Sequence, residues 1–122
     1  MTRPITVWSE IPVTDMDRAV AFYNKVFDYN MTIDTTGPNP MATLGGEVES
    51  AGGHLYPGKP AVGGNGPTVH IAVPDALEAA MARCKDAGGT VLNDDPIAIP
   101  PGRFVYALDT EGNSIGLFEA AA

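Results

Sequence analysis

The chain switches twice from alternating to helical spacing of its apolar residues. The first switch runs from Ile11-Pro12-Val13-Thr14-Asp15 into Met16, Val20, Tyr23 and Phe27, spaced by four, three and four. The second runs from Ile71-Ala72-Val73-Pro74-Asp75 into Leu77, Met81, Cys84 and Gly88 at the same spacings. Each predicts a short strand followed by a helix with one apolar stripe, which must pack against something. Thr14 or Asp15, and Asp75, are the expected N-caps, because a side-chain oxygen there can accept a free backbone N–H. Gly88-Gly89 is a natural stop for the second helix.

After each helix the period returns to two. Met31 to Thr35, Met41 to Gly45 and Gly53 to Tyr56 are the strands expected in the first half. Thr90 to Leu92, Phe104 to Asp109 and Ser114 to Glu119 are those expected in the second, with Glu111-Gly112-Asn113 as a tight hairpin turn. The order β-α-β-β-β therefore occurs twice, with Asp15 and Asp75, Val13 and Val73, and Ala19 and Ala79 all offset by 60 residues. The reading is one domain over 1–122, built of a module at about 1–60 and another at about 66–122. The Gly- and Pro-rich stretch from Gly52 to Pro67 joins them. Neither module can bury its sheet face alone, so the two should pair.

This order resembles the vicinal oxygen chelate superfamily, which takes in glyoxalases, extradiol dioxygenases and bleomycin-resistance proteins. The resemblance rests on Ile11 to Tyr23, on Ala87-Gly88-Gly89, and most closely on Leu108-Asp109-Thr110-Glu111-Gly112-Asn113-Ser114-Ile115-Gly116-Leu117. It implies an α+β fold: two βαβββ modules forming a cupped eight-stranded mixed sheet, helices on the outer face and the ligand or metal on the inner one. It is specific for fold and weak for function, since one fold hosts many chemistries.

Strand alternation sorts the faces independently. Val7, Ile11 and Val13, then Val69, Ile71 and Val73, then Ile115 and Leu117 form faces that should meet the helices. The opposite face collects Trp8, Glu10, His54, Tyr56, Thr68, His70, Ser114 and Phe118. Aromatic walls with a few polar groups are the usual lining of a small-molecule site. Tyr106 shares a face with Phe104 and Leu108, and alternation alone leaves open which face that is.

Relatives of this kind bind one divalent ion (Fe, Ni, Zn, Co or Mn) through His and Glu on the inner strands. Carried onto this chain, two of the ligand slots fall on Trp8 and Gly116, which cannot ligate. Glu10, His54 and His70 are the remaining candidate set, two histidines and a carboxylate. Glu10 and His70 are also the groups that could serve as a general base near neutral pH. Without a carboxylate at Gly116, glyoxalase I activity is not expected. Two function classes stay open: a metal-dependent enzyme on an oxygenated small substrate, and a metal-free protein that sequesters a drug or metabolite. Cys84 sits on an apolar stripe and reads as a buried structural thiol. Arg103 is either a clamp for an anionic group or a surface charge.

Composition narrows the partners. The 122 residues carry 15 Asp plus Glu against 7 Lys plus Arg, a net charge of −8. That disfavours nucleic acid and anionic membranes and suits a cationic ligand. No apolar run approaches a membrane span, Met1 to Pro4 lack a signal-peptide stretch, and the single cysteine cannot form an internal disulfide. The expectation is a cytoplasmic protein with a small-molecule ligand, able to form a homodimer.

Overall fold

A computed structural model describes residues 5–47 and 51–122; the N-terminal Met1 to Pro4 read above lie outside them. The elements run β1 (Ser9–Val13), α1 (Met16–Phe27), β2 (Ala42–Thr43), β3 (Gly53–Pro57), β4 (Val69–Ala72), α2 (Leu77–Asp86), β5 (Thr90–Val91), β6 (Ile97–Ile99), β7 (Gly102–Leu108) and β8 (Ser114–Ala120). The class is α+β, as the twofold pattern implied. The strands form two sheets rather than one continuous cup: three strands in the order β1-β3-β2, and five in the order β4-β8-β7-β5 with β6 also on β7. In both, the first strand of the module lies parallel to the last, β1 to β3 and β4 to β8.

The differences from the expected strands have local causes. Met31 to Thr35 contributes only a single bridge, Asp34 to Met41. The residues between them are Thr35-Thr36-Gly37-Pro38-Asn39-Pro40, and proline cannot donate to a ladder. Asp34 Oδ1 accepts from both the N–H and the hydroxyl of Thr36, which turns the chain away from the sheet. Leu44 to Gly46 curls into a short 3₁₀ turn instead of extending the strand. On the other side Ile97–Ile99, which alternation had not marked, pairs with Gly102 to Phe104.

One face of each sheet is a row-by-row core. Ile11 lies beside Leu55 and Leu55 beside Ala42; Ile71 lies beside Leu117 and Leu117 beside Val105. All six are buried, together with Phe22, Tyr23, Val26 and Phe27 of α1 and Leu77, Ala80, Met81 and Cys84 of α2. The helices pack on each other, and Arg83 of α2 donates to the Val26 carbonyl at the end of α1. Asp15 caps α1 as expected, accepting from the Arg18 N–H. Asp75 does not cap α2. Ala76 occupies the cap position, Asp75 pairs with Arg83, and the Leu77 N–H goes to Glu119 on β8. Gly88 ends the second helix with φ +94°, a conformation that glycine adopts without strain.

The β7–β8 hairpin clasps the modules together. Asp109 Oδ1 accepts from the Glu111 and Asn113 N–H groups, and Oδ2 accepts from the buried Tyr23 hydroxyl. Asn113 Nδ2 donates to the Pro12 carbonyl of β1. The Glu111 carboxylate accepts from the Thr14 and Asp15 N–H groups at the start of α1, and from the Arg18 guanidinium and the Thr110 hydroxyl. The stretch that resembles the family most closely thus works as an inter-module fastener.

Candidate functional site on the inner sheet faces

Residues directly opposite each other on paired strands share a face. In the three-stranded sheet Glu10, His54 and Thr43 form one such row and Pro12 with Tyr56 the next. In the five-stranded sheet the rows are His70, Gly116 and Tyr106, then Ala72, Phe118, Phe104 and Ile97. These rows point away from the helices, so Tyr106 belongs to the inner face. It stays 38% exposed and Trp8 37%, which leaves the face open.

At the first sheet Trp8 Nε1 donates to His54 Nδ1 over 2.8 Å. An indole N–H can only donate, so Nδ1 is the unprotonated nitrogen and the neutral ring carries its proton on Nε2. That Nε2 faces Glu10 Oε1 at 3.7 Å, beyond hydrogen-bond length. Tyr56 meets the His54 ring edge-on, with centroids 6.2 Å apart. Glu10, His54 and Tyr56 open into a cleft of about 760 Å³, which the loop from Asp34 to Met41 also lines.

At the second sheet His70 packs edge-on against Phe104, with ring centroids 4.8 Å apart, and leans on Tyr106 at 5.8 Å. Its ring lies across β8 at Gly116, where even a Cβ would overlap it. Glycine in that position therefore decides where His70 lies. Thr68 and Ser114 hydrogen-bond each other through their hydroxyls, and Ser114 also borders a smaller recess of about 150 Å³ at the seam between the modules.

The proposed ligand set is not assembled. Glu10 and His54 belong to one sheet and His70 to the other. Among the described residues no three His, Cys, Asp or Glu side chains are grouped to hold a metal. The bonding of His54 also opposes ligation. A metal taken by Nε2 would move the ring proton to Nδ1, against the Trp8 N–H. The residues present therefore do not fit the ion that the fold family implies. The catalytic pair Glu10 and His70 likewise stands on different sheets: His54 is the imidazole beside Glu10, and His70 packs against Phe104 and Tyr106.

Two other candidates are settled by their neighbours. Arg103 is held by Glu78 and Glu119 at 2.7 and 3.0 Å, so its charge is matched within the protein. Cys84 is fully buried, and burial pushes its thiol up to about 11, which removes it as a nucleophile. Sequence reasoning missed the Asp34 to Met41 loop as a wall of the main cleft. Its only signal was the Pro-Asn-Pro run, which reads as a turn without saying what the turn encloses.

The chain belongs to the Glyoxalase/Bleomycin resistance protein/Dioxygenase superfamily, whose family model matches residues 5–117. A "Glyoxylase-like domain-containing protein" from Didymella fabae is 30% identical, over 86% of this chain and 85% of that protein. A glyoxalase/bleomycin resistance protein from Albidiferax ferrireducens T118 superposes with a TM-score of 0.69 at 19% identity, covering 97% of this chain and all of its own. TnmS3, an antibiotic binding protein from Streptomyces sp. CB03234, superposes with a TM-score of 0.61 at 23% identity, over 99% of both chains. No helix among the described residues is long and apolar enough to cross a membrane.

Proposed function

We propose that this protein binds and sequesters a small molecule on its open inner face, without a resident metal ion. The observation that supports the reading is the Trp8–His54 hydrogen bond, which occupies the Nδ1 lone pair of the cleft histidine and opposes ligation through Nε2. Aromatic walls and a cleft of about 760 Å³ supply a volume ordinary for a small-molecule site. The fold shared with an antibiotic binding protein supports the same reading. A homodimer is part of it, because Trp8 and Tyr106 offer exposed ring surface that a second copy can cover. The buried free thiol of Cys84 suits a reducing cytoplasm.

The test has two arms. Untagged protein is incubated with Fe, Ni, Zn, Co or Mn ions, desalted and analysed for metal, beside a His70→Ala variant. The expected result is no stoichiometric retention. Near-stoichiometric metal in the wild type that is lost in the variant would overturn the reading in favour of an enzyme. In the second arm, Trp8 is the sole tryptophan and is bonded to His54 of the cleft wall, so its fluorescence reports on that wall through the bond during a screen of antibiotics and metabolites. Saturable quenching with substrate recovered unchanged is expected; turnover of the bound compound would refute sequestration.

A further inference from the structure

The charges around the cleft identify the chemical class of ligand. Arg18, Arg83 and Arg103 are each paired with carboxylates at 2.7–2.8 Å: Glu111, Asp75 and Glu78 respectively. All three pairs lie away from the main cleft, whose wall contains no lysine or arginine among the described residues. That wall carries two carboxylates instead, Glu10 and Asp34, with the His54 and Tyr56 rings and the apolar surfaces of Pro38 and Pro40. The two carboxylates differ. Asp34 spends Oδ1 on the Thr36 N–H and hydroxyl, which hold it ionised. Glu10 has no lysine or arginine partner among the described residues. His54 Nε2 stands 3.7 Å from it, beyond hydrogen-bond length, and the Glu10 side chain is 68% exposed.

Position adds to charge. β1 is the strand of its sheet that borders the other module, and Glu10 lines both the main cleft and the recess at the module seam. A group bound at Glu10 therefore sits where the two hollows meet, with aromatic surface on one side and the Ser114 end of β8 on the other.

We propose that the ligand is an organic cation joined to a planar apolar body, and that Glu10 is the residue that selects it. The cation pairs with the Glu10 carboxylate, and the planar part lies between Tyr56 and the Pro38–Pro40 wall. The net charge of −8 draws such a ligand in, and an anion would meet two carboxylates and no compensating base. This rests on the metal-free binding reading above and deepens it.

Two probes of the same shape test the proposal: 2-naphthamidine, a planar cation, and 2-naphthamide, its neutral counterpart. Binding is followed by NMR through the Trp8 indole N–H resonance and by calorimetry. The amidine should bind about tenfold more tightly, as expected for one ion pair with cation–π support, and the preference should weaken with added salt. Glu10→Gln, a substitution at an exposed strand position, should reduce the preference to within about threefold by weakening amidine binding more than amide binding. Equal binding of both probes to the wild type, or a preference that survives Glu10→Gln, overturns this proposal and leaves the binding cleft standing. Failure of both probes to bind by calorimetry, with Trp8 unperturbed, counts against the cleft itself and overturns both readings.

Discussion

Replacing Glu111 by Gln should unfasten the modules by an amount that can be worked from the hairpin. The carboxylate is fully shielded from solvent and accepts five hydrogen bonds: from the Thr14 and Asp15 N–H groups, twice from Arg18, and from Thr110. The Arg18 guanidinium leads in holding the carboxyl down, from an ordinary value near 4.5 to about 2. At about 1.4 kcal/mol per pH unit, that displacement corresponds to about 3 kcal/mol of folded-state preference for the ionised form. Arg18 is half exposed, and once unpaired it can be hydrated. Gln keeps the shape and an acceptor oxygen for the helix N–H groups. The net cost at pH 7 should therefore be about 2 kcal/mol, or a fall in Tm of about 6–10 °C for a chain of this size.

The pH dependence distinguishes this mechanism from simple loss of packing. The folded-state value is depressed, so the stabilisation is fully present above the unfolded value near 4.5 and is lost as pH falls towards 2. Urea unfolding of both proteins, followed by circular dichroism from pH 7 to pH 2.5, measures the difference directly. Other carboxylates titrate in both proteins and cancel. The gap should be constant from pH 7 to about 5.5 and should then close. A cost under about 0.5 kcal/mol at pH 7, or a gap unchanged at pH 2.5, would refute the reasoning. An Arg18→Gln, Glu111→Gln cycle should return a coupling energy above about 1 kcal/mol.

Three further outcomes follow from single side chains. Tyr23→Phe removes a buried hydroxyl that donates to Asp109 over 2.7 Å, and should cost about 2 kcal/mol in urea unfolding with no change in the inner face. Cys84 should resist iodoacetamide at pH 8 in the native protein and react at once in denaturant, as quantitative mass spectrometry would show; native labelling would contradict its burial. Gly116→Ala should push the His70 ring off β8 at a stability cost under about 1 kcal/mol, because His70 is exposed and can swing outward. Unchanged His70 ring resonances in that variant would show that the ring does not lie where described.

The two helices and most of the core faces were legible in the sequence because burial dictates their period. Met16, Val20, Tyr23 and Phe27 mark one stripe, and the alternation in Ile11 to Val13, Val69 to Val73 and Ser114 to Leu117 has one buried side whatever the ligand. Asp75 was misread as a cap for a different kind of reason. The rule weighs a side chain against its own backbone, and it does not include Arg83, two turns along the helix, which takes the carboxylate first. The strand expected at Met31 to Thr35 failed similarly: alternation was present, but Pro38, Pro40 and the Asp34–Thr36 turn removed the pairing that alternation presumes.

The site was half legible, and the missing half is the informative one. Alternation put Trp8, Glu10, His54, Tyr56, Thr68, His70, Ser114 and Phe118 on one inner face; strand pairing divides that face, with Glu10, His54 and Tyr56 on one sheet and His70 and Phe118 on the other. It could not say that the two histidines stand on separate sheets, because period two fixes which side of a sheet a residue occupies and not which sheet it joins. Nor could it predict that Trp8 would spend the His54 lone pair. That bond depends on a residue standing where the family pattern has a ligand. Trp8, at one ligand position of the resembling family, supplies the hydrogen bond to His54 Nδ1, and Gly116, at another, leaves room for the His70 ring. The two positions at which the resemblance places a ligand and this chain has none are thus the ones that arrange the rings of the inner face.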